Sequence, residues 1–508
     1  MTNRLFDRLF ATGQADAVAI EAGDKTYLYA DLERATARMA GALIDLGVAP
    51  GDRIAVQVEK SAANLILYLA TLRAGAVYLP LNTAYTLAEL SYFIQDAEPG
   101  LIVCDPRAIV AVSGIAVSTP IKTMDGRGEG SLCDLADKQA DSFRTAPRDG
   151  SDLAAICYTS GTTGRSKGAM LSHEALASNA ETLTREWRFT ASDTLIHALP
   201  LYHVHGLFVA THIALMAGAS IILQPKFDAS QVLAAFQRAT SLMGVPTFYT
   251  RLLAHPDLDE NKASGMRLFV SGSAPLLAQT HADWKVRTGQ AILERYGMTE
   301  TGMNTSNPYD GERKPGTVGL PLPDVELRIL SEATGEPVAP GDIGVIEVRG
   351  PNVCEGYWRQ PQKTAEAFSD DGWFITGDLG QFDPDGYVTI VGRGKDLIIT
   401  GGLNVYPKEV EGVIDALPGV VESAVIGLPH ADLGEAVTAV VAIGTATEPT
   451  PEAILGPLTD VLARFKQPRR VVFVADLPRN AMGKVQKAAL REQYADLYAT
   501  AAADGRVS

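Results

Sequence analysis

The stretch Tyr158–Gly168, YTSGTTGRSKG, decides how the rest of the chain is read. It packs five hydroxyl side chains (Thr159, Ser160, Thr162, Thr163 and Ser166), three glycines (Gly161, Gly164 and Gly168) and Lys167 into eleven residues. Glycines let a backbone wrap closely round an anion, hydroxyls and N–H groups donate to phosphate oxygens, and lysine adds charge. GxxxxGK[ST] is absent, so this is not a Walker A loop. A flexible surface loop is the alternative. The density of phosphate-binding groups directly after the apolar run Leu153–Cys157 weighs against it.

Around this loop the first half of the chain alternates helix-like and strand-like segments. Tyr27–Leu46 and Leu65–Leu72 carry apolar residues at helical spacing, whereas Asp52–Glu59, Ala76–Leu81 and Leu101–Asp105 read as strands. The rhythm continues through Ala219–Leu223, Leu242–Val245 and Leu268–Val270, which predicts βαβ units and a parallel sheet. From about Gly316, Gly and Pro become frequent and short alternating runs such as Val345–Val348 predict antiparallel strands. Beyond Gly392–Asp396, Pro407 opens a helix with an apolar face of Val410, Val413, Ile414 and Leu417. Strands follow at Ser423–Gly427 and Val437–Ala442, then a helix near Ile454–Phe465 and a strand at Arg470–Val474. The expected fold is therefore α/β. A large N-terminal domain, 1–394, has parallel-rich sheets, helices and a β-rich subdomain, and a small α+β C-terminal domain covers 395–508.

The chain has 508 residues, 46% apolar and 20% charged, which is globular composition rather than disorder. Its net charge of −16 disfavours a nucleic-acid or other polyanion binder, without excluding a local phosphate site. Cys104, Cys133, Cys157 and Cys354 have spacings that fit neither a zinc site nor a disulfide framework. Free thiols in a reducing cytoplasm are the simplest reading. Met1–Phe10 has no apolar core of a signal peptide. No Asp, Glu, Lys or Arg lies between Asp193 and Lys226, a length that could span a membrane. The histidines His197, His203, His205 and His212, with Pro200, Gly206 and Gly218, make it read instead as a buried loop, helix and strand.

The loop resembles the phosphate loop of the adenylate-forming superfamily, which includes acyl-CoA synthetases, luciferases and peptide-synthetase adenylation domains. Ser166 stands where that family usually has proline. The resemblance extends in order along the chain. Leu199–Gly206 (LPLYHVHG) is similar to the fourth core motif, Glu294–Glu300 (ERYGMTE) to the fifth and Gly372–Leu379 (GWFITGDL) to the seventh. Gly392–Glu409 is similar to the eighth and Pro478–Lys487 (PRNAMGKVQK) to the tenth. Six motifs in the right order carry weight that one would not.

The resemblance implies a reaction in which a carboxylate attacks the α-phosphorus of ATP, and a thiol then displaces AMP. Two anions must meet, so the site has to neutralise charge and hold the groups in line. It implies that Lys484 bridges carboxylate and α-phosphate, that Glu300 helps hold Mg²⁺, that Thr299 contacts the α-phosphate and that His203 joins the catalytic set. It also implies that Tyr296 stacks on adenine, that Asp378 and Arg393 bind the ribose, and that Thr159, Ser160, Gly161, Thr162, Thr163, Gly164, Lys167, Ala274, Glu294 and Arg295 line the ATP site. In relatives the C-terminal domain swings about a hinge, matched here by Lys395, and brings Gly401, Gly402 and Leu403 to coenzyme A. Without the motif, that glycine pair would read as an ordinary turn. Lys466, Arg469 and Arg470 form a basic cluster that suits CoA phosphates or a solvated face equally.

The acid is read from other residues. Tyr202–His205 lacks the aspartate that amino-acid adenylating domains use, and no carrier-domain signature follows, so a freestanding ligase is expected. Arg251 sits in the otherwise uncharged segment Leu242–Leu253, where it either meets an anion or reaches solvent. His205 and Ser273 could complete a pocket for a second carboxylate. YHVHG, GVPTFYTR, SGSAPL and RYGMTETGMNTSNPYDG together resemble malonyl-CoA synthetases, which implies that Arg251, His205 and Ser273 face the distal carboxylate of malonate, with methylmalonate as a second substrate. A ligase for another short acid, a luciferase-like oxygenase and a non-catalytic nucleotide binder are the rivals. A lysine acetyltransferase acting on Lys484 would remove the charge that adenylation needs.

Overall fold

The apolar runs of the first half become the centres of two sheets. The computed structural model describes residues 3–116, 118–159, 166–444, 450–459, 461–480 and 483–498. The chain forms two compact units. One takes the chain up to Pro315 together with Gly319–Leu327 and Val348–Phe374; the other takes Gly316–Val318, Arg328–Glu347 and the chain from Ile375 onward. Residues 395–508 thus fall in the second unit, together with pieces of the Gly- and Pro-rich middle.

In the first unit, a six-stranded sheet runs in the order Ile121–Thr123, Leu101–Cys104, Arg53–Gln57, Val77–Pro80, Leu153–Thr159, Lys167–Ser172. Its first five strands are parallel neighbours, and the last pairs antiparallel with Leu153–Thr159. Val77–Pro80 and Leu101–Cys104 are buried at every position, as strands covered on both faces must be. The helix Ala62–Arg73 is buried almost all round, and Ser61 caps it by accepting from the Asn64 N–H at 3.2 Å.

A nine-stranded sheet holds Leu293–Met298, Leu268–Ser271, Ser241–Gly244, Thr194–His197, Ser220–Leu223 and Val18–Ala22 as successive parallel neighbours. Antiparallel strands close both edges. In open parallel sheets, ligands bind beyond the carboxyl ends of the strands. Those ends lead here into Ala198–His205, Gly272–Ala274 and Thr299. The uncharged stretch after Asp193 forms a strand, a π-helical turn at His205–Ala210, a helix at Thr211–Ala217 and a second strand. No helix among the described residues is long and apolar enough to cross a membrane.

The second unit carries most of a four-stranded sheet, ending in the antiparallel pair Phe374–Phe382 and Val388–Arg393. It also holds a five-stranded sheet built on the long hairpin Val420–His430 and Gly434–Ile443. Arg470–Val474 is a strand, as its apolar pattern predicts, and it joins that hairpin in parallel. Pro407 occupies the first turn of the helix Pro407–Asp415, and Val410 and Ile414 enter a core with Val425, Val437, Ala439 and Val441. One expectation needs correction. The helix expected near Ile454–Phe465 is Pro451–Leu458, ending one residue after Pro457, and Arg464–Lys466 forms a separate short turn. Proline lacks the N–H that continues a helix and disfavours the helical region for the residue before it.

Candidate active site

Strand register sets the phosphate loop. Thr159 lies directly opposite Lys167 and Tyr158 opposite Gly168, so the hairpin arms hold the two ends of the loop side by side. Ser160, Gly161, Thr162, Thr163 and Gly164 lie outside the described residues. One helix, Leu87–Ala97, grips both flanks: the Tyr158 hydroxyl donates to the Asp96 carboxylate, and the Tyr92 hydroxyl donates to the Ser166 carbonyl at 2.7 Å. Tyr92 and Asp96 are four residues apart and share a helix face.

Thr299 and Glu300 sit in the turn between Leu293–Met298 and Gly302–Ser306. Gly302 has φ +56°, and a Cβ there would lie 2.7 Å from the Asn179 side-chain oxygen. Asn179 reaches under this turn, accepting from the Met303 N–H at 3.0 Å and donating to its carbonyl at 2.9 Å. Asn352 donates to the Thr301 carbonyl at 2.6 Å. Glu300 itself is buried, and its carboxylate accepts from the Tyr357 hydroxyl at 3.1 Å. Tyr296 and Thr299 remain half-buried beside it.

The polar pocket differs from the sequence reading at one residue. Arg251 is exposed, in the last turn of the helix Pro246–Leu253, whose Phe248, Tyr249 and Leu252 point inward. A cation at a helix C-terminus needs no buried anion to explain it. A buried guanidinium lies nearby at Arg295, expected at the nucleotide. It is 4% exposed, and its Nε and Nη2 have no hydrogen-bond partner. A Cβ on Gly272 would lie 2.4 Å from its Cζ, so glycine is what lets the backbone pass there. Burial pushes its pKa down to about 9, so it is still a cation at neutral pH.

His205 and Ser273 lie near Arg295. The Ser273 hydroxyl is 3.2 Å from His205 Nδ1, and His205 Nε2 is buried without a partner. Ser273 holds φ +70°, a left-handed conformation that a non-glycine residue keeps only where its surroundings enforce it. Burial, reinforced by Arg295, lowers the pKa of His203 to about 4 and that of His205 well below its ordinary value. Two neutral imidazoles therefore lie within the field of one buried guanidinium. The signal for Arg295 in the sequence is its place within a strand of a mostly parallel sheet, where both faces are covered and a charge must be buried.

In the second unit, Asp378 and Arg393 face each other across antiparallel strands, with Arg393 Nε 2.9 Å from the Asp378 carboxylate. Asp378 is 3% exposed. Lys484 is exposed in this unit, yet its ammonium lies in their field: crowding by protein atoms, with Arg393 adding, Asp378 opposing and Lys395 adding, lowers its pKa to about 8. Its backbone is fixed by Asn480, whose side-chain oxygen accepts the Lys484 N–H at 3.0 Å. Lys395 is exposed, and its pKa too is lowered, chiefly by desolvation. Gly401 and Gly402 have φ +58° and +81° and form the two-residue turn between Ile398–Thr400 and Leu403–Val405. Their backbone, rather than crowding, demands glycine, since no atom lies within 4 Å of a Cβ built on Gly402. Leu403 is exposed. Lys466 is engaged by Glu409 at 2.6 Å.

Known proteins resemble this chain along nearly its whole length. Residues 8–358 match the family model described as AMP-binding enzyme, and residues 409–484 that of the AMP-binding enzyme C-terminal domain. The structure of ATP-bound MatB from Rhodopseudomonas palustris is 58% identical, covers 98% of this chain and 100% of that one, and superposes with a TM-score of 0.96. A malonate–CoA ligase from Arabidopsis thaliana is 34% identical, over 95% of this chain and 87% of its own length. A feruloyl-CoA synthase from an Amycolatopsis species is 36% identical, over 94% and 96%. The mixed α/β fold, the ordered motifs and the matched models agree, and the chain belongs to the AMP-binding enzyme family, the adenylate-forming enzymes.

Proposed function

We propose that this chain is an ATP-dependent malonate–CoA ligase: malonate, ATP and CoA give malonyl-CoA, AMP and diphosphate through malonyl-AMP. The carrying observation is the buried guanidinium of Arg295, whose Nε and Nη2 have no hydrogen-bond partner, near His205 and the Gly272–Ser273 turn. A buried cation without a counter-ion is costly, and a substrate carboxylate would supply the partner. Fatty acids and acetate offer no second carboxylate. The similar Arabidopsis enzyme named a malonate–CoA ligase supports this choice, whereas the comparably similar feruloyl-CoA synthase means that the family alone does not.

In this reading the reacting carboxylate of malonate lies toward Thr299 and the distal one toward Arg295. Lys484 neutralises charge as the carboxylate oxygen attacks the α-phosphorus and diphosphate leaves. Asp378 and Arg393 hold the ribose and Tyr296 the adenine. The residues suit magnesium. Among the described residues no group of three or more His, Cys, Asp or Glu cages a metal, and magnesium takes one carboxylate plus waters and substrate phosphates. Glu300 would hold it, and the ion would offset phosphate charge. Lys395 then serves as the hinge that exchanges Lys484 for the Gly401–Leu403 turn before thiol attack. Four free cysteines suit a reducing compartment such as the cytoplasm.

CoA-dependent AMP release measured across malonate, methylmalonate, succinate, acetate, octanoate, ferulate and several amino acids tests the assignment. Malonate should give the highest kcat/KM, with methylmalonate second. Best turnover with ferulate, acetate or octanoate would discard the dicarboxylate pocket. We infer a lysine acetyltransferase as a regulatory partner, because acylation would remove the Lys484 charge that adenylation needs. Protein acetylated at Lys484 should no longer release diphosphate from ATP, yet should still make thioester from preformed malonyl-AMP. Normal diphosphate release would refute that regulation.

A further inference from the structure

Tyr357 lies outside every motif discussed so far, yet it touches two of them. Its hydroxyl donates to the Glu300 carboxylate at 3.1 Å, and the Lys167 ammonium lies 4.4 Å from the centre of its ring. One side chain thus meets the lysine that closes the phosphate loop and the glutamate placed at the metal. Both contacts are fixed by the backbone. The Met170 N–H donates to the Gly356 carbonyl at 2.9 Å, the Glu355 N–H to the Met170 carbonyl at 2.9 Å and the Trp358 N–H to the Gly168 carbonyl at 2.8 Å. Tyr357 itself bridges to Ala169 in antiparallel fashion. At the other end of the same segment, the Cys354 N–H donates to the Glu300 carbonyl at 2.7 Å. Five consecutive residues therefore tie the strand after the phosphate loop to the Thr299–Glu300 turn.

We propose that Tyr357 is a positioning residue that sets Lys167 and Glu300 as a pair around the metal–triphosphate. An ammonium and a carboxylate at one site tend to form a salt bridge that neutralises both. A phenol between them accepts the cation on its ring and donates to the anion from its hydroxyl. The phenol thereby holds both groups without cancelling either charge. The inference rests on the ligase reading and extends it to a residue that need touch neither substrate.

Isothermal titration calorimetry of ATP on the full chain, with EDTA and with saturating Mg²⁺, tests this. Tyr357→Phe keeps the ring and loses the donor. It should bind metal-free ATP as the wild type does, and lose about 10-fold of the tightening that Mg²⁺ gives, the size of one hydrogen bond to a charged group. Tyr357→Leu should in addition weaken metal-free ATP binding about 3-fold, through loss of the ring under Lys167. Tyr357→Phe with wild-type tightening by Mg²⁺ would overturn the proposal. So would equal weakening in both arms with a lowered unfolding temperature, the mark of a purely structural role. A wild-type chain that binds no ATP in either arm would overturn the ligase reading itself.

Discussion

Replacing Arg295 with methionine should lower kcat/KM for malonate by about 10³-fold, while kcat/KM for acetate changes by less than about 10-fold. Removing one partner of a buried, hydrogen-bonded charge pair costs about 4 kcal/mol, because the other charge is left buried and unpaired. With malonate bound, that stranded charge is the distal carboxylate. Acetate has no such group, so it loses little and is freed from the cost of leaving the guanidinium unpaired. Methionine keeps most of the volume, which limits the cavity penalty. The free protein should not lose stability, since the buried guanidinium has Nε and Nη2 unpartnered before substrate binds. Unfolding temperature checks this part independently.

The same experiment decides between two roles for Arg295. The family resemblance places it with ATP, whereas the structure places it beside His205 and Ser273. A nucleotide role predicts equal losses with malonate and acetate, accompanied by a raised KM for ATP. An acid role predicts a collapse in the malonate-to-acetate ratio at unchanged KM for ATP. Arg251→Met provides the contrast. Arg251 is exposed at a helix end, and its loss should change malonate kcat/KM by less than about 10-fold. A 10³-fold loss in Arg251→Met and none in Arg295→Met would restore Arg251 as the carboxylate ligand.

What the sequence revealed and what it hid follow from the range of the interactions. Helix Tyr29–Asp45, strand Leu101–Cys104 and strand Arg470–Val474 fall where periodicity places them, because their patterns are local and strong. The ends of the phosphate loop were legible for the same reason, since a strand, a glycine-rich turn and a lysine are contiguous. Arg251 and Arg295 could not be separated that way. Both interrupt apolar segments, and only the tertiary neighbours show that one faces solvent and the other lies under Gly272. Tyr357 was invisible because its partners are Lys167 and Glu300, far apart in the chain. The Leu458 helix end shows the opposite error, an apolar pattern followed past a local stop signal at Pro457.

Replacing Lys484 with alanine should abolish diphosphate release from ATP and malonate, by at least about 10³-fold, and leave thioester formation from malonyl-AMP within about 3-fold of wild type. The first half-reaction brings a carboxylate up to a triphosphate, so the ammonium is worth most at its transition state. The second sends a thiol against an anhydride whose charge is already reduced. The pH profile gives a signature that a structural defect would not. Desolvation and the Arg393 guanidinium lower the Lys484 pKa to about 8 in the free protein. The charged form dominates below that value and is lost above it. The kcat/KM of adenylation for ATP should therefore fall as pH rises through about 8, because that parameter reports ionisations of the free enzyme. Thioester formation from malonyl-AMP should show no such fall attributable to Lys484. Arg393→Gln removes the positive neighbour that lowers the Lys484 pKa most and should move the adenylation fall to higher pH, even as lost ribose contacts raise KM for ATP. A fall that stays in place in Arg393→Gln, or one that appears equally in both half-reactions, would mean that another group titrates and that Lys484 does not carry the charge for adenylation.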